Sequence, residues 1–224
     1  MKKGDFVKVS FTGEVEGKVI DTTDEAIAKK EGVFNKDRTY KPIPIVVGES
    51  MILAGIDKAV EELDVGQEKK MKISSKDGFG ERNASLVRLV PMREFKKQGV
   101  TPVPGTIFEV EGRPARIQSV SGGRVMVDFN HPLAGKESEY KVRVEEAAKT
   151  EKDKINYLLE KSFDDDSLKS STEGTGEKKK LIVEIPEKLR ANKALIAIKA
   201  GFFADATKHL GFKEVEFKEV WVKK

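Results

Sequence analysis

Alternation of apolar and polar residues is the strongest local signal near the start of the chain. Val7, Val9 and Phe11 recur at every second position, which predicts a strand with one apolar face. Thr22 with Glu25 predicts a capping box at the start of a helix that ends near Gly32. Similar alternation predicts further short strands at 19–21, 70–73, 107–110, 115–120, 124–129 and 139–144.

The stretch from Ile45 to Gly66 combines a strand, a turn and a helix. Three consecutive β-branched residues, 45–47, predict a strand that is covered on both faces. The spacing of Ile56, Ala59, Val60 and Leu63 places one apolar stripe along a short helix, and Gly66 is expected to end it. Between Gly48 and Gly55 lies an apolar segment, Met51-Ile52-Leu53, where the backbone can approach a ligand closely.

The pattern changes after residue 80 and indicates a small β unit of its own. Strands are predicted at 86–90, 107–110, 115–120 and 124–129, with a short helix at 92–97. Glu111-Gly112 and Gly122-Gly123 mark the hairpin turns between the later strands. These signals predict a self-contained small β unit.

A third domain is predicted at 151–224. Ile155, Leu158, Leu159 and Phe163 follow helical spacing, and the polar stretch 164–176 predicts a mobile loop. A strand at 180–185, a long helix from about residue 188 or 192 to Leu210, and a last strand at 212–222 complete it. Apolar residues give the long helix a wide face, namely Ala194, Leu195, Ile198, Phe202, Phe203 and Leu210. Such a face favours a homodimer interface, with a surface that binds another polypeptide as the alternative.

Composition narrows the class of protein. The 224 residues contain 42 basic and 38 acidic side chains, for a net charge of +4, and no cysteine. Disulfides, thiolate metal sites and cysteine nucleophiles are therefore excluded. No apolar segment typical of a signal peptide follows the first residues, and the most apolar helix carries charges, so we expect a cytoplasmic protein without a membrane span. The charges are mixed along the chain, which makes a nucleic-acid partner unlikely.

Several short motifs together resemble the FKBP-type peptidyl-prolyl cis-trans isomerases. They are Val9–Gly13, Gly17–Thr22, Val47–Ile56, Asp64–Gly66 and Gly78–Gly80, in the order and spacing of that family. The β unit after Phe79-Gly80, followed by Asn130–Gly135, is similar to the SlyD-like branch, whose insert-in-flap domain binds unfolded polypeptide. Residues 151–224 resemble the C-terminal extension of the long archaeal members. The histidine-rich tail of bacterial relatives is absent, so their nickel-binding role is not carried over.

The resemblance implies an α+β fold: an FKBP-like antiparallel half-barrel sheet wrapped on a short helix, with an inserted small β domain and a C-terminal α/β domain. The isomerase domain would consist of 1–82 and 130–150, with the insert-in-flap domain at 83–129 between its two parts. It implies catalysis without a metal or cofactor. Ile56 would form the floor of a proline pocket, the Ile52 N–H would hold a substrate carbonyl, and Asp21 would be the charged group of the wall. The residues implied around the proline are Phe11, Ile20, Asp21, Ile43, Ile52, Leu53, Ile56, Phe79 and Tyr140.

Pattern alone gives a plainer interpretation of several of these residues. Phe11, Ile20 and Ile56 stand where alternation and helical spacing would place core residues. Asp21 could be a turn or cap residue, and His131 a hydrogen-bonded turn histidine. Many family members carry tyrosine where Phe11 and Phe79 stand, phenylalanine at position 20 and tryptophan at position 56.

The insert is expected to bind extended apolar stretches of unfolded or proline-containing polypeptides at an open sheet edge. Its candidate contact residues are Leu86, Val90, Met92, Phe95, Val103, Ile107 and Phe108. The sequence thus predicts a peptidyl-prolyl isomerase that is also a folding chaperone. The alternatives are a holdase that has little isomerase activity and a nucleic-acid or ribosome-associated factor.

Overall fold

A computed structural model describes residues 1–110, 113–165, 167–176 and 179–221. Its strands are β1 Phe6–Val15, β2 Lys18–Thr22, β3 Ile43–Val46, β4 Glu68–Ile73, β5 Val87–Pro91, β6 Ile107–Val110, β7 Arg113–Ser121, β8 Arg124–Asp128, β9 Ser138–Ala147, β10 Lys169–Glu173, β11 Lys180–Glu184 and β12 Glu214–Lys218. Its helices are α1 Glu25–Lys30, α2 Ala54–Glu61, α3 Met92–Lys97, α4 Glu151–Phe163, α5 Glu187–Arg190 and α6 Leu195–Leu210.

The chain forms two compact units. Residues 1–71 and 139–224 make up the first unit, and residues 72–138 make up the second. The first unit therefore contains the C-terminal segment as well as the start of the chain. The predicted division into three domains stays a prediction.

The main sheet of the first unit is an antiparallel half-barrel, with strands in the order β2-β1-β9-β4 and with β3 paired to the other part of β1. Every second residue of β1 is buried, among them Val7, Val9 and Phe11, as the alternation predicts. α2 buries Ile56, Ala59 and Val60 on one side, also as predicted. The predicted α+β fold class, with the FKBP-like sheet, is confirmed.

The predicted start of α1 and the predicted end of α2 are both wrong. Asp24, and not Thr22, caps α1: its side chain accepts from the Ile27 N–H at 3.0 Å, while the Thr22 hydroxyl bonds back to Phe11 O. Thr22 is the last residue of β2, and it therefore belongs to the sheet and not to the start of α1. α2 ends at Glu61, and Gly66 lies beyond it, where its N–H donates to Val144 O at 2.7 Å.

The second unit is a sheet in the order β5-β8-β7-β6. Phe95 of α3 packs with Ala115, Ile117, Val125 and Val127 in its core. Gly122 and Gly123 both have positive φ angles, 55° and 75°, which suits a tight hairpin turn. A 3-10 turn at Ala84–Leu86 precedes β5, so the strand begins one residue later than predicted. The predicted turn at Glu111-Gly112 lies outside the described residues.

The C-terminal segment folds into a three-stranded sheet, β10-β11-β12, with α4 and α6. β10 lies within the stretch predicted to be a mobile loop. This prediction is wrong because Lys169–Glu173 pairs antiparallel with β11, a contact that local polarity does not reveal. The predicted long helix is divided into α5 and α6, and it ends at left-handed Gly211 as expected. The predicted positions 166, 177–178 and 222–224 lie outside the described residues.

The apolar face of α6 is largely covered within the chain. Leu195, Phe202 and Ala206 are buried in one cluster with residues of α4, β11 and the first strands. The two large apolar side chains left exposed on α6 are Ile196 and Phe203, at 83% and 41%. The wide uncovered face from which a homodimer was predicted is therefore much narrower in the structure.

No helix of the described residues is both long and apolar enough to cross a bilayer.

Candidate active site

One row across three strands anchors the site. Gly13 of β1 lies opposite Asp21 of β2 on one side and opposite Tyr140 of β9 on the other. Residues directly opposite one another point to the same face of a sheet. Phe11 shares this face because it lies two residues from Gly13. The sheet thus brings together three of the predicted pocket residues, Phe11, Asp21 and Tyr140.

The Tyr140 ring lies across Gly13. A Cβ atom at Gly13 would lie 2.3 Å from Tyr140 Cε1, a distance that no side chain tolerates, so the glycine makes room for the ring. The rings of Phe11 and Tyr140 are 6.0 Å apart at 57°. Phe11 and Tyr140 are both buried. The result is a continuous aromatic surface on the inner face of the sheet.

The Tyr140 hydroxyl is a donor available to a ligand. It has no hydrogen-bond partner among the described residues. Burial, together with the nearby negative charge of Asp21, raises the pKa of Tyr140 to about 12. The phenol therefore stays protonated at neutral pH and can donate a hydrogen bond.

Two isoleucines of the predicted wall come from neighbouring strands. Ile43 of β3 pairs with Val9 of β1, so it points to the same face as Phe11. Ile20 has no partner in the β1–β2 ladder, because Gly13 pairs with Asp21 and Glu14 with Val19. Such a bulge redirects side chains near a site. Both isoleucines are half-buried, as residues of a pocket wall would be.

Ile52, Leu53 and Ile56 lie on the turn into α2. Ile56 is 1% exposed, whereas Ile52 and Leu53 are half-buried. The Ile52 N–H has no hydrogen-bond partner among the described residues. This turn thus presents one buried apolar side chain, two partly exposed apolar neighbours and an N–H without a partner among the described residues.

Asp57 fixes this turn from the first turn of α2. Its carboxylate is buried and accepts from the Gly48 N–H at 2.8 Å and from the Ser50 N–H at 3.1 Å. Gly48 and Ser50 both have positive φ angles, 83° and 53°, which is unusual for a serine. Asp57 was not among the site residues predicted from the sequence. Its signal was an aspartate next to Ile56 on the buried side of an apolar helix.

Arg38 is a second residue near the site that was not predicted from the sequence. Its guanidinium pairs with Asp21 and lies 5.4 Å from the centre of the Tyr40 ring. The Tyr40 ring stacks on Phe34 at 5.4 Å. Asp21 is therefore one half of an ion pair at the rim of the site, and neither a helix cap nor an isolated charge. Nothing in the local pattern marks Arg38, which stands 17 residues from Asp21 in a polar loop.

Phe79 belongs to the second unit. Its ring stacks on His131 at 5.1 Å with an angle of 2° between the planes. His131 Nδ1 accepts a hydrogen bond from the Leu133 N–H at 3.2 Å, which confirms the turn histidine. The place of Phe79 in the proline pocket stays a prediction.

The second unit also carries a groove with a volume of about 240 Å³, lined by apolar side chains together with Glu94, Gln98 and Glu109. Val90, Phe95 and Phe108, three of the predicted client-binding residues, line it. Leu86 and Met92 are half-buried elsewhere, and Val103 and Ile107 are more than half exposed. Phe95 also belongs to the core of the unit. Leu89, which is 57% exposed, was not among the predicted residues.

The described residues contain no group of three or more histidine, aspartate or glutamate side chains placed to hold a metal ion.

Comparison with known proteins gives two family models and several relatives. Residues 88–133 match the model described as FKBP26, IF domain, and residues 151–222 match FKBP26_C-terminal. A short-type peptidyl-prolyl cis-trans isomerase of Methanocaldococcus jannaschii is 38% identical over 151 residues, 67% of this chain and 96% of that protein.

Two bacterial relatives bear the name FKBP-type peptidyl-prolyl cis-trans isomerase SlyD. The one from Helicobacter pylori is 28% identical over 50% of this chain and 62% of its own length. The one from Haemophilus influenzae is 28% identical over 58% of this chain and 71% of its own length. Together with the half-barrel sheet and the insert between its strands, these matches show that the chain belongs to the FKBP-type peptidyl-prolyl cis-trans isomerases, in their SlyD-like group.

Proposed function

We propose that this isomerase binds X–Pro segments between the aromatic face of its sheet and the turn into α2, and that it retains client chains through its second unit. Rotation about an X–Pro bond has a barrier of about 18–20 kcal/mol, because amide resonance must be lost. No covalent bond is made or broken. The task is therefore to stabilise the twisted amide relative to the planar one.

The observation that carries this proposal is a dry apolar surface with two unpaired donors. Phe11 and Ile56 are buried and carry no polar group, so they disfavour the more polar planar amide. The Tyr140 hydroxyl and the Ile52 N–H have no partners among the described residues. Donors held in place before the substrate arrives stabilise a carbonyl as it rotates.

A tetrapeptide assay tests the isomerase site. In a protease-coupled assay on a proline tetrapeptide, we expect Asp21→Ala and Phe79→Ala to lower kcat/KM by about tenfold or more. Glu14→Ala, at a half-buried position of β1, is the matched control and should keep the parent rate. A parent chain no faster than the uncatalysed reaction would favour the holdase alternative.

The groove of the second unit supports client binding. Its volume of about 240 Å³ is below the roughly 300–1,000 Å³ typical of small-molecule sites, and it suits one apolar side chain of an extended peptide. Phe108 and Val110 of β6 line it, and β6 is an edge strand of its sheet. A peptide could add to this edge as a further strand while one of its side chains enters the groove.

Client binding would raise the concentration of prolines near the isomerase site, an effect that can reach about 100-fold. Deletion of 83–129 should therefore abolish catalysed refolding of a proline-limited protein while tetrapeptide isomerisation is mostly kept. Ile107→Asp on β6 should weaken binding of an unfolded chain, whereas Leu89→Asp on the opposite edge strand serves as its control. Equal losses in both assays would contradict the division of labour.

Self-association through residues 151–224 stays a prediction. The exposed Ile196 and Phe203 side chains on α6 are the apolar surface that remains for it. Sedimentation equilibrium of the full chain and of an Ile196→Lys, Phe203→Lys variant decides between a dimer and a monomer.

A further inference from the structure

The segment that carries Ile52 is in contact with the C-terminal helices. We call residues 47–53 the lip. Glu49 of the lip forms an ion pair with Lys208 in the last turn of α6. Met51 packs against an apolar cluster that includes Phe202 and Ala206 of α6. The lip is thus held by α2 on one side through Asp57 and by α6 on the other.

The approach to the lip is held in the same way by α4. Thr39 donates to Asp164 Oδ2 at 3.1 Å, and Lys41 pairs with Glu160 at 3.0 Å. Glu160 is buried and also pairs with Lys8 of β1 at 2.9 Å. These contacts tie the residues before β3 to a helix more than 100 positions away in the sequence.

The apolar core continues from the sheet into the C-terminal segment. Phe6 of β1 and Val46 of β3 belong to the same buried cluster as Leu158 and Phe202. The rings of Phe6 and His209 meet edge to face at 6.1 Å. Because Val46 is the residue directly before the lip, α4 and α6 support the strand from which the lip departs.

We propose that the C-terminal segment is a structural part of the isomerase site, and that Lys208 is a positioning residue which, through Glu49, sets where the Ile52 N–H points. This inference rests on the proposed role of that N–H. Lys208 acts in this proposal through Glu49 and not by touching the substrate. The proposal gives residues 151–224 a function that does not require a partner molecule.

The expected size follows from the exposure of the pair. Lys208 keeps 61% of its side-chain surface in water, and exposed ion pairs contribute little. Loss of the pair should therefore lower kcat/KM on a proline tetrapeptide by about two- to fivefold. Met51→Ala removes apolar packing between the lip and the buried cluster. It should lower kcat/KM more than loss of the ion pair does, by about fivefold or more.

A charge-swap experiment on the full chain tests this inference. Lys208→Glu and Glu49→Lys should each lower kcat/KM. Each should also increase amide hydrogen exchange of Gly48 and Ser50 several-fold, because these two amides of the lip donate to Asp57 of α2. The double variant should restore both quantities, and Lys208→Arg should retain them. Lys193→Met, an exposed lysine just before α6, is the matched control and should match the parent chain.

Two results would overturn the inference: single variants with the parent's exchange and rate, or a double variant that stays as impaired as the singles. Unfolding midpoints of all variants show whether a lower rate reflects global destabilisation; the positioning role predicts a lower rate and faster exchange at a nearly unchanged midpoint. The proposed isomerase site is tested separately. If the parent chain lacks tetrapeptide activity, that site fails, while hydrogen exchange at Gly48 and Ser50 still reports whether Lys208 positions the lip.

Discussion

Gly13 shows how much a single residue without a side chain decides. It stands between Asp21 and Tyr140 in the sheet, and the Tyr140 ring occupies the space above it. In the sequence it is one glycine of a short motif. In the structure its φ angle lies outside the left-handed region, so backbone conformation does not explain the glycine. Only the pairing of three strands explains why a methyl group at this position would displace the ring.

The pair of Asp21 and Tyr140 gives a prediction at the same scale. The pKa of Tyr140 is raised to about 12, above its ordinary value near 10. The folded chain therefore holds a proton that the unfolded chain loses between about pH 10 and pH 12. This contribution to stability is fully present below pH 10 and is lost as the pH rises toward 12.

We expect Tyr140→Phe to reduce the fall in the free energy of unfolding across this alkaline range, as measured by chemical denaturation at several pH values. Asp21→Asn should lower the pKa of Tyr140 in an ultraviolet difference titration, because one negative charge is removed. Tyr40→Phe is the matched control for the first measurement. An unchanged alkaline slope in Tyr140→Phe would contradict the buried, protonated phenol.

At the scale of elements, the turn into α2 is the clearest case of a local pattern that needs a distant partner. The spacing of Ile56, Ala59 and Val60 predicted the buried face of α2 correctly. It did not show that Asp57 turns back to bind two N–H groups of the lip. A buried carboxylate is stable only when such donors satisfy it.

Removing this carboxylate should damage both stability and rate. Asp57→Ala leaves the Gly48 and Ser50 N–H groups without their acceptor, which costs about 1–3 kcal/mol of unfolding free energy. A lip displaced by about 1 Å can cost on the order of 100-fold in rate, so we expect tetrapeptide kcat/KM to fall by at least about tenfold. Chemical denaturation and the protease-coupled assay measure the two effects.

The control is Asp64→Ala, because Asp64 is exposed just after α2. It should keep both the stability and the rate of the parent chain. If Asp57→Ala loses stability but retains its rate, the lip would not need the carboxylate for its catalytic geometry.

At the scale of the whole molecule, each of the two units contains a buried cluster of its own. The larger one runs through the first strands, α4, β11 and α6, and the smaller one surrounds Phe95 in the second unit. A change in the smaller core should therefore leave the protection of the main sheet intact.

Phe95→Ala should destabilise the second unit by about 3–5 kcal/mol, the usual cost of removing a buried phenylalanine. In native-state hydrogen exchange, amides of β7 and β8 should lose protection while those of β1 and β9 keep it. Leu89→Ala, at an exposed position of β5, should change neither set. Simultaneous loss of protection in both units would show that they unfold as one.

The sequence alone determined the elements whose patterns are local: the alternation of β1, the apolar stripe of α2, the glycine turn between β7 and β8, and the end of α6 at Gly211. It also determined the family, because the order of several short motifs is a property of the chain and not of its folding. Pocket residues such as Phe11 and Ile56 came from that resemblance, since spacing alone marks them only as core.

Tertiary structure decided what depends on partners far apart in the chain. β10 exists because β11 pairs with it. Arg38 forms an ion pair with Asp21, and Lys208 forms one with Glu49, which is 159 positions away in the sequence. The lip can be recognised in the sequence as an apolar turn, but the contacts that hold it in place cannot. Local patterns record which side of an element is apolar, whereas the packing of distant elements decides what each side meets.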